Sequence, residues 1–370
     1  MPDLYEALDI VSRELVGFVP SVTLDAGVER AAVGQNVRSI VTPAASAEDV
    51  SPGQLPPDDG DQTIGNQIIT ISKSRMVPFR WTGEEQKGVN NNGPGYRTIR
   101  RDQVTQAFRT LVNEIEVFVG GLAVAASRAS GTAGTTPFAS GLSDPANIRK
   151  ILSDNGAALS NLQMVIDTTA GANLRSLTQL TKANEAGTTE LRAQGTLLEV
   201  AGFTIKESAG VQQHTPGTGA AYVTNGALAV GATVIPVQTG TGTILAGDVI
   251  SFAADTKNKY VVASALSAGN LTIAAPGLKA AITGGNAVTV GAAYTANMGF
   301  SRSAIVLATR APALPEEGDM AEDRTMLVDS RSGLAFEVAM YKQYRRVRYE
   351  VALAYGASCI KPEHTAILQG

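Results

Sequence analysis

Cysteine and histidine are almost missing from this 370-residue chain. Cys359 is its only cysteine, and His214 and His364 are its only histidines. A single cysteine excludes an intrachain disulfide. Two histidines with one thiol, set in a Gly/Pro/Thr loop and near the C-terminal end, do not have the ligand spacing of a zinc site. No metal and no cofactor is therefore expected. Charge is also sparse. Charged residues are 17% of the chain, and the net charge is −4. That balance argues against a general nucleic-acid binder, which is usually basic, but leaves room for a local basic patch. No apolar run reaches the length of a membrane span. The opening MPDLYEALDI carries acid where a signal peptide needs positive charge. A soluble protein with no membrane partner is expected, either kept in a reducing compartment or needing no disulfides outside one.

Signatures of catalysis are missing as well. No phosphate-binding Gly-Lys-Ser/Thr loop occurs. GTGTIL at 240–245 has two glycines, but the third of a dinucleotide fingerprint is misplaced. There is no G-x-S-x-G elbow. Cys359 and His364 read as a buried strand cysteine and a surface histidine rather than a nucleophile pair. The acid pairs Asp58/Asp59 and Glu316/Glu317 sit in loops, and read as solvated charge or subunit pairing rather than acid–base groups. No catalytic residue is assigned, and an enzyme is not expected.

The pattern that is present centres on Arg97 to Ser127. Val104, Phe108, Leu111, Ile115, Phe118, Leu122 and Ala126 recur every three or four residues, the period of one helix face. Arg101, Arg109, Asn113 and Glu116 fall between them, and Asp102 is a candidate start signal. Helical throughout, this stretch would be roughly 45 Å long. Its second half, 117–126, is apolar nearly all round and should lie between other layers. Gly120 and Gly121 each cost a helix interior roughly 1 kcal/mol, so a close backbone approach is expected there. The polar first half should lie nearer an exposed edge.

Upstream, residues 3–16 predict a short amphipathic helix on the stripe Leu4, Leu8, Val11 and Leu15. Asp3 and Glu6 stand at capping-box spacing, and Gly17 with Pro20 ends the helix. It docks either on its own domain or, as an arm, on a neighbouring subunit. A strand at 35–43 precedes a Pro/Gly/Ser/Asp-rich segment that includes Asp58, Asp59 and Asp61. Two β-like runs follow, with Ile69 and Ile71 alternating in one and Val77, Phe79 and Trp81 in the other. TGEEQKGVNNNGPGY reads as turns. The whole of 50–95 predicts a projecting β-hairpin, which is marginal alone and would gain stability on another chain.

Downstream, 130–143 reads as a linker. Asp144-Pro145 starts a helix, 162–167 is a buried-type strand, and 172–184 is another helix. LLEVAGFTIKES (197–208) reads as strand, turn at Ala201-Gly202, strand. From Gly219 to Ala292 the only charged residues are Asp248, Asp255, Lys257, Lys259 and Lys279. Short β-branched runs between Gly-rich turns predict a small all-β barrel or sandwich inserted into a loop of its host. Ser303 to Thr309 is a strand core, and EEGDMAEDR an acidic loop. In the closing run, Val347, Tyr349, Val351, Leu353 and Tyr355 point to one face and Arg346, Arg348 and Glu350 to the other, with Pro362 ending the strand. Arg345, Arg346 and Arg348 form the one basic concentration. It suits contact with nucleic acid, pairing with a neighbour's acidic loop, or plain solvation. Tyr344 is the nearest aromatic residue.

Particular stretches of the sequence then resemble a known family. LLEVAGFTIKES looks like the segment in which a Leu-x-Gly-Phe turn leads to a short strand in the major capsid proteins of tailed bacteriophages. LAGDVISFAADTKNKYVV, with GNLTIAAPGLKAAITGGNAVTV, is similar to the inserted β-domains of one branch of that family. MGFSRSAIVLATRAPALP and SGLAFEVAMYKQYRRVRYEVALAYGASCIKPE look like its closing strands. The resemblance covers nearly the whole chain. It implies an α+β shell fold shared with herpesvirus capsid floor domains. Its parts would be an N-terminal arm (1–45), a projecting β-hairpin or extended loop (46–96), a spine helix (97–130), a mixed α/β shell domain (131–218 with 293–370) and an inserted β-barrel-like domain (219–292).

The same resemblance implies self-assembly into hexamers and pentamers of an icosahedral shell around double-stranded DNA, with only weak contact to that DNA. Scaffold and portal proteins are expected as partners, and a decoration protein is possible. Assembly would take place in the host cytoplasm, with the product in the virion. The residues assigned to subunit contacts are Asp58, Asp59, Asp61, Ile69, Ile71, Phe79, Trp81, Arg345, Arg346 and Arg348. The competing readings are a cellular nanocompartment shell of the same fold around an enzyme cargo, and an adhesin or glycan reader using the 219–292 domain.

Overall fold

The structure is a computed structural model that describes residues 16–41, 65–92, 95–139, 141–177, 199–328 and 333–370. The acidic segment with Asp58, Asp59 and Asp61 lies outside the described residues, as do the predicted helix at 3–16 up to residue 15 and the part of the 172–184 helix beyond residue 177.

Two large sheets and one small one carry the fold. The first large sheet runs β1 (Thr23–Ala31), β17 (Ile305–Pro312), β20 (Arg346–Cys359), β19 (Ala335–Gln343), β18 (Ala321–Val328), with β4 (Lys73–Thr82) also paired to β20. The second runs β10 (Val223–Thr224), β11 (Val234–Gln238), β14 (Asn270–Ile273), β13 (Asp255–Ser267), β5 (Arg128–Gly131), β21 (Thr365–Gln369), β16 (Tyr294–Ser301), β6 (Leu162–Ile166), β8 (Phe203–Glu207), β7 (Glu199–Val200). Strands β12 (Val249–Phe252) and β15 (Val288–Val290) extend it beside β13, and β9 (Gln213–His214) pairs with β16. The small sheet holds β2 (Asn36–Val41) and β3 (Gly65–Thr70) alone. Helices α1 (Gly83–Asn92), α2 (Tyr96–Gly120), α3 (Ser143–Asp154) and α4 (Thr168–Ser176) complete the α+β architecture.

The long helix α2 has 25 residues. Its apolar stripe is buried at Val104, Phe108, Leu111, Ile115 and Val119. These side chains belong to one core cluster that takes Leu307, Val351 and Leu353 from the first sheet and Val165, Met298 and Ile367 from the second. The helix is thus the element around which both sheets close. Full burial of each large side chain contributes roughly 1.5–3 kcal/mol.

Both ends of the helix differ from the sequence expectation. It starts at Tyr96, whose N–H donates to Asn90 Oδ1 at 2.9 Å, so Asp102 lies inside it and is not the start signal. It ends at Gly120 and tightens into a 3-10 turn, Gly121–Ala125, instead of running on to Ser127. A Cβ on Gly120 would stand 2.6 Å from the Gly210 carbonyl oxygen, whereas Gly121 has open space. One glycine of the pair, not both, is the close-approach point. Val117 and Val124 are exposed, so this end is covered on one side only.

Glu116 also departs from its expected polar face. It is 2% exposed. Its carboxylate accepts from the backbone N–H of Gly17 (3.2 Å), Phe18 (2.9 Å) and Val19 (2.7 Å), and from Ser208 Oγ (2.5 Å). These bonds tie the chain at 17–19 to the helix.

The β-pairings correct the predicted hairpin. β3 pairs antiparallel with β2, Ile69 opposite Val37. β4 does not pair with β3; it lies along β20 from Thr82↔Arg346 to Lys73↔Tyr355. The two runs are therefore separate strands of separate sheets, divided after Thr70. The β2–β3 pair packs on the body through Ile69 and Ile71, which join Ala31, Val306, Ala308 and Ala354 in a small core. A Cβ on Gly356 of β20 would come 2.1 Å from the Thr70 carbonyl oxygen. That contact covers the second face of β20, so 351–356 is buried throughout rather than on alternate residues.

Further elements differ from the sequence expectation. Among them, β5 occupies the end of the predicted 97–130 spine helix and the start of the predicted linker, because β13 and β21 pair with it. TGEEQKGVNNN opens helix α1 rather than a run of turns. The acidic AEDR lies in strand β18, paired with β19 from Ala321↔Tyr341 to Val328↔Ala335. Beyond Pro362 the chain forms β21, fully buried between β16 and β5. Helix α4 starts at Thr168, four residues before the predicted 172, because the Asp167 carboxylate accepts from Thr169 and Ala170 N–H. The Ala201-Gly202 turn has φ of 53° and 83°, the geometry of a two-residue hairpin turn. Within 219–292, Ile235, Ile250, Phe252, Tyr260, Leu271 and Ile282 are among the members of a core of its own. The segment is nonetheless bonded to the body, since Lys259 and Tyr260 of β13 pair with Ala129 and Arg128 of β5.

Candidate assembly and nucleic-acid interface

The basic residues singled out in the sequence sit at the tip of the β19–β20 hairpin. Gln343 pairs with Arg346, which leaves Tyr344 and Arg345 as the two-residue turn. Arg345 has φ of 56°, a left-handed conformation unusual for a residue with a Cβ. Tyr344 is 90% exposed. Lys342, Arg345 and Arg346 are exposed beside it. Lys342 is held by Glu322 at 2.5 Å. Arg346 faces Thr82 across the β20–β4 ladder. Arg348 donates along its strand face to Glu350 Oε2 at 3.0 Å and is only partly exposed. The tip thus presents two arginines and an aromatic ring to the surroundings, and the third arginine braces the strand.

Opposite the tip, Trp81–Glu84 and Gln86 form the second wall of an open cleft. Its geometry is set by a capping box. Thr82 N–H donates to Glu85 Oε2 at 2.8 Å, and Glu85 N–H donates to Thr82 Oγ1 at 3.2 Å. The hydrogen bonds from the Thr82 backbone and hydroxyl hold the Glu85 carboxyl below the usual carboxylate range. Thr-x-x-Glu is readable in TGEE, and would have located α1 from sequence.

Phe79 and Trp81 are tied inside the chain. Phe79 stacks on Tyr349 at 5.4 Å. Trp81 Nε1 donates to Gln103 Oε1 at 2.7 Å, and its ring meets Tyr96 edge-on at 5.3 Å. Tyr96 shares a 3.3 Å hydroxyl contact with Tyr349, and burial together with that contact pushes its pKa up to about 12. The Arg100 guanidinium lies 5.5 Å from the Tyr96 ring and 5.7 Å from that of Tyr349. This cluster joins β4 and β20 to the start of α2, so the two aromatic residues assigned to a subunit contact also hold the tip in place within their own chain.

Ile69 and Ile71 are likewise 0% exposed within their own chain. Among the described apolar side chains, Ile68 of the small sheet is 53% exposed, and Val33, in the turn before β2, is 58% exposed. The alternation about Ile69 and Ile71 already places Ile68 on the opposite face. Other exposed apolar side chains include Met320, Met326 and Val328 on and beside the edge strand β18, and Val117 and Val124 on the outer side of α2 and its 3-10 turn. The structure thus brings Arg345 and Arg346 together at one surface with Tyr344. Trp81 lines the same cleft, and Ile69, Ile71 and Phe79 are not among its lining residues.

No family model matches the sequence, and no curated protein matches it. Among solved structures, the chain is similar to one of Mycobacterium phage Che8, with 12% identity, covering 92% of this chain and 88% of that one at a TM-score of 0.46. It is similar to the capsid structure of the Cyanophage P-SCSP1u, with 12% identity, covering 94% and 86% at a TM-score of 0.49. It is also similar to a virus-like particle from Pyrococcus furiosus, with 11% identity, covering 100% and 98% at a TM-score of 0.46.

Proposed function

We propose that this chain is the major capsid protein of a tailed bacteriophage, self-assembling into hexamers and pentamers of an icosahedral shell around double-stranded DNA. The observation that carries the reading is the placement of exposed apolar side chains on several separate elements, among them the small sheet, the β18 edge and the outer side of α2. A protein with one partner needs one such patch. A subunit with neighbours on several sides needs several, each a separate contact in a closed symmetric lattice.

The small sheet supports the same reading. Among the described strands it pairs with neither large sheet, and a two-stranded sheet is marginal by itself. A neighbouring copy against Ile68 and Val33 would stabilise it. The Tyr344–Arg346 tip supplies charge for light contact with packaged DNA or with a neighbour's carboxylates. The low net charge of −4 avoids strong phosphate binding, which would oppose packing and release of the DNA. A scaffold, a portal and a decorating protein as partners, assembly in the host cytoplasm and residence in the virion belong to the same proposal.

Sedimentation of the full chain, alone and with the scaffold, tests it. The expected result is a fast-sedimenting assembly or capsomer rings. A species that stays monomeric at high concentration with scaffold present contradicts it.

A further inference from the structure

All three lysines of the 219–292 segment are placed where that segment meets the body. Lys259 stands opposite Ala129 in the β13–β5 ladder. Lys279 Nζ donates to the Asp154 carbonyl at the end of α3 at 3.1 Å. Lys257 and Lys259 line a cleft of about 240 Å³ together with Lys150 of α3 and Arg128 of β5. Among the described residues, those four cations line the cleft and no carboxylate does.

Of the nearby carboxylates, Asp154 offsets two of these cations, and Asp255 is held by neutral donors. Asp154 lies beside one end, 3.0 Å from Lys150 and 3.5 Å from Arg128. Asp255 accepts from Asn258 at 2.9 Å and from the Tyr260 hydroxyl at 2.7 Å. Arg128 is 3% exposed. Its Nη1 donates to Asn258 Oδ1 at 2.9 Å and its Nη2 to the Ile151 carbonyl at 3.2 Å, while Nε has no hydrogen-bond partner. Lys259 Nζ has only neutral acceptors among its hydrogen bonds, the Gly131 carbonyl at 2.5 Å and Gln369 Oε1 at 3.2 Å. Burial pushes its ammonium below the ordinary lysine range. Cations gathered from both sides of a joint repel one another, and a desolvated ammonium without a counter-charge is costly.

We propose that this cleft binds a phosphate group, which bridges Lys257 and Lys259 of β13 to Lys150 and Arg128 of the body and pins the 219–292 segment in place. Lysine point charges around an arginine suit phosphate oxygens. The volume is below the roughly 300–1,000 Å³ of pockets that enclose a drug-sized organic ligand, and so fits a phosphate rather than a whole nucleoside. Inorganic phosphate and a nucleic-acid phosphodiester share this chemistry.

Equilibrium dialysis of the full chain against radiolabelled inorganic phosphate in low-salt chloride buffer tests the proposal. The expected result is saturable binding near one phosphate per chain. Affinity should fall about tenfold or more in the double variant Lys150→Gln/Lys257→Gln, as charge-assisted contacts are lost. Both side chains are exposed, so the variant should keep the wild-type melting temperature in phosphate-free buffer. Displacement of the label by short duplex DNA assigns the site to phosphodiesters, and its retention assigns it to free phosphate. Absence of saturable binding, or equal binding by wild type and the folded variant, overturns the proposal.

Discussion

Glu116 shows how far one side chain depends on partners distant in sequence. The helical period puts it between apolar positions, which from sequence reads as a solvated face. In the structure, the backbone at 17–19 and Ser208, each more than 90 residues away, supply four donors to its carboxylate. No local pattern reveals such a site. Replacing Glu116 by Ala leaves those buried donors unpaired and should destabilise the chain by about 3 kcal/mol or more, with Glu116→Gln intermediate, read from urea unfolding midpoints. A loss below about 0.5 kcal/mol for Ala would show that water replaces the carboxylate there. Gly120 and Gly121 make a second contrast. Their sequence cost is the same, but only Gly120 meets a backbone atom. Gly120→Ala should cost about 1–3 kcal/mol from overpacking. Gly121→Ala should be neutral, or stabilising by up to about 1 kcal/mol. Equal effects in the same unfolding assay would remove the close approach as the reason for Gly120.

At the scale of elements, strongly periodic segments were legible and pairings were not. The stripe of α2, the buried run of β6 and the closing strands follow from apolar spacing alone. The partner of β4 does not, because Thr82 and Arg346 are 264 positions apart yet directly opposite. Adjacency in sequence suggested a β3–β4 hairpin, but the long strand β20 offers a ladder of ten residue pairs and takes β4 instead. Strand β21 was hidden by its shortness and by Pro362 before it. Strand β18 was hidden by charge, which an edge strand tolerates on its open side. On the small sheet and the turn before it, Ile68 and Val33 are exposed and Ile69 is buried, so the proposed contact face is Ile68 with Val33. Ile68→Asp with Val33→Asp should leave stability within about 0.5 kcal/mol, as exposed sites do, while sharply reducing the yield of assembled particles on sedimentation. Ile69→Asp should instead impair folding, since it buries an unpaired charge. Normal particle yield from the Ile68/Val33 variant would exclude this face as a contact.

The whole molecule is organised by α2, which holds both sheets against one core and leaves the small sheet, the β18 edge and the Tyr344–Arg346 tip as separate outward features. The 219–292 segment is set apart by composition and has its own core, but its β13 strand joins the second large sheet. The sequence composition therefore marks the segment and not its attachment, because two backbone ladder positions carry no composition signal. A chain arranged this way offers several separate outward surfaces, which the proposed shell would use as contacts. Electron cryomicroscopy of the full chain assembled with its scaffold tests that arrangement most directly. The account predicts closed shells built of six-fold and five-fold rings, with Ile68 and Val33 covered by a neighbouring copy. Dispersed monomers, or shells in which the small sheet touches no other subunit, would contradict it.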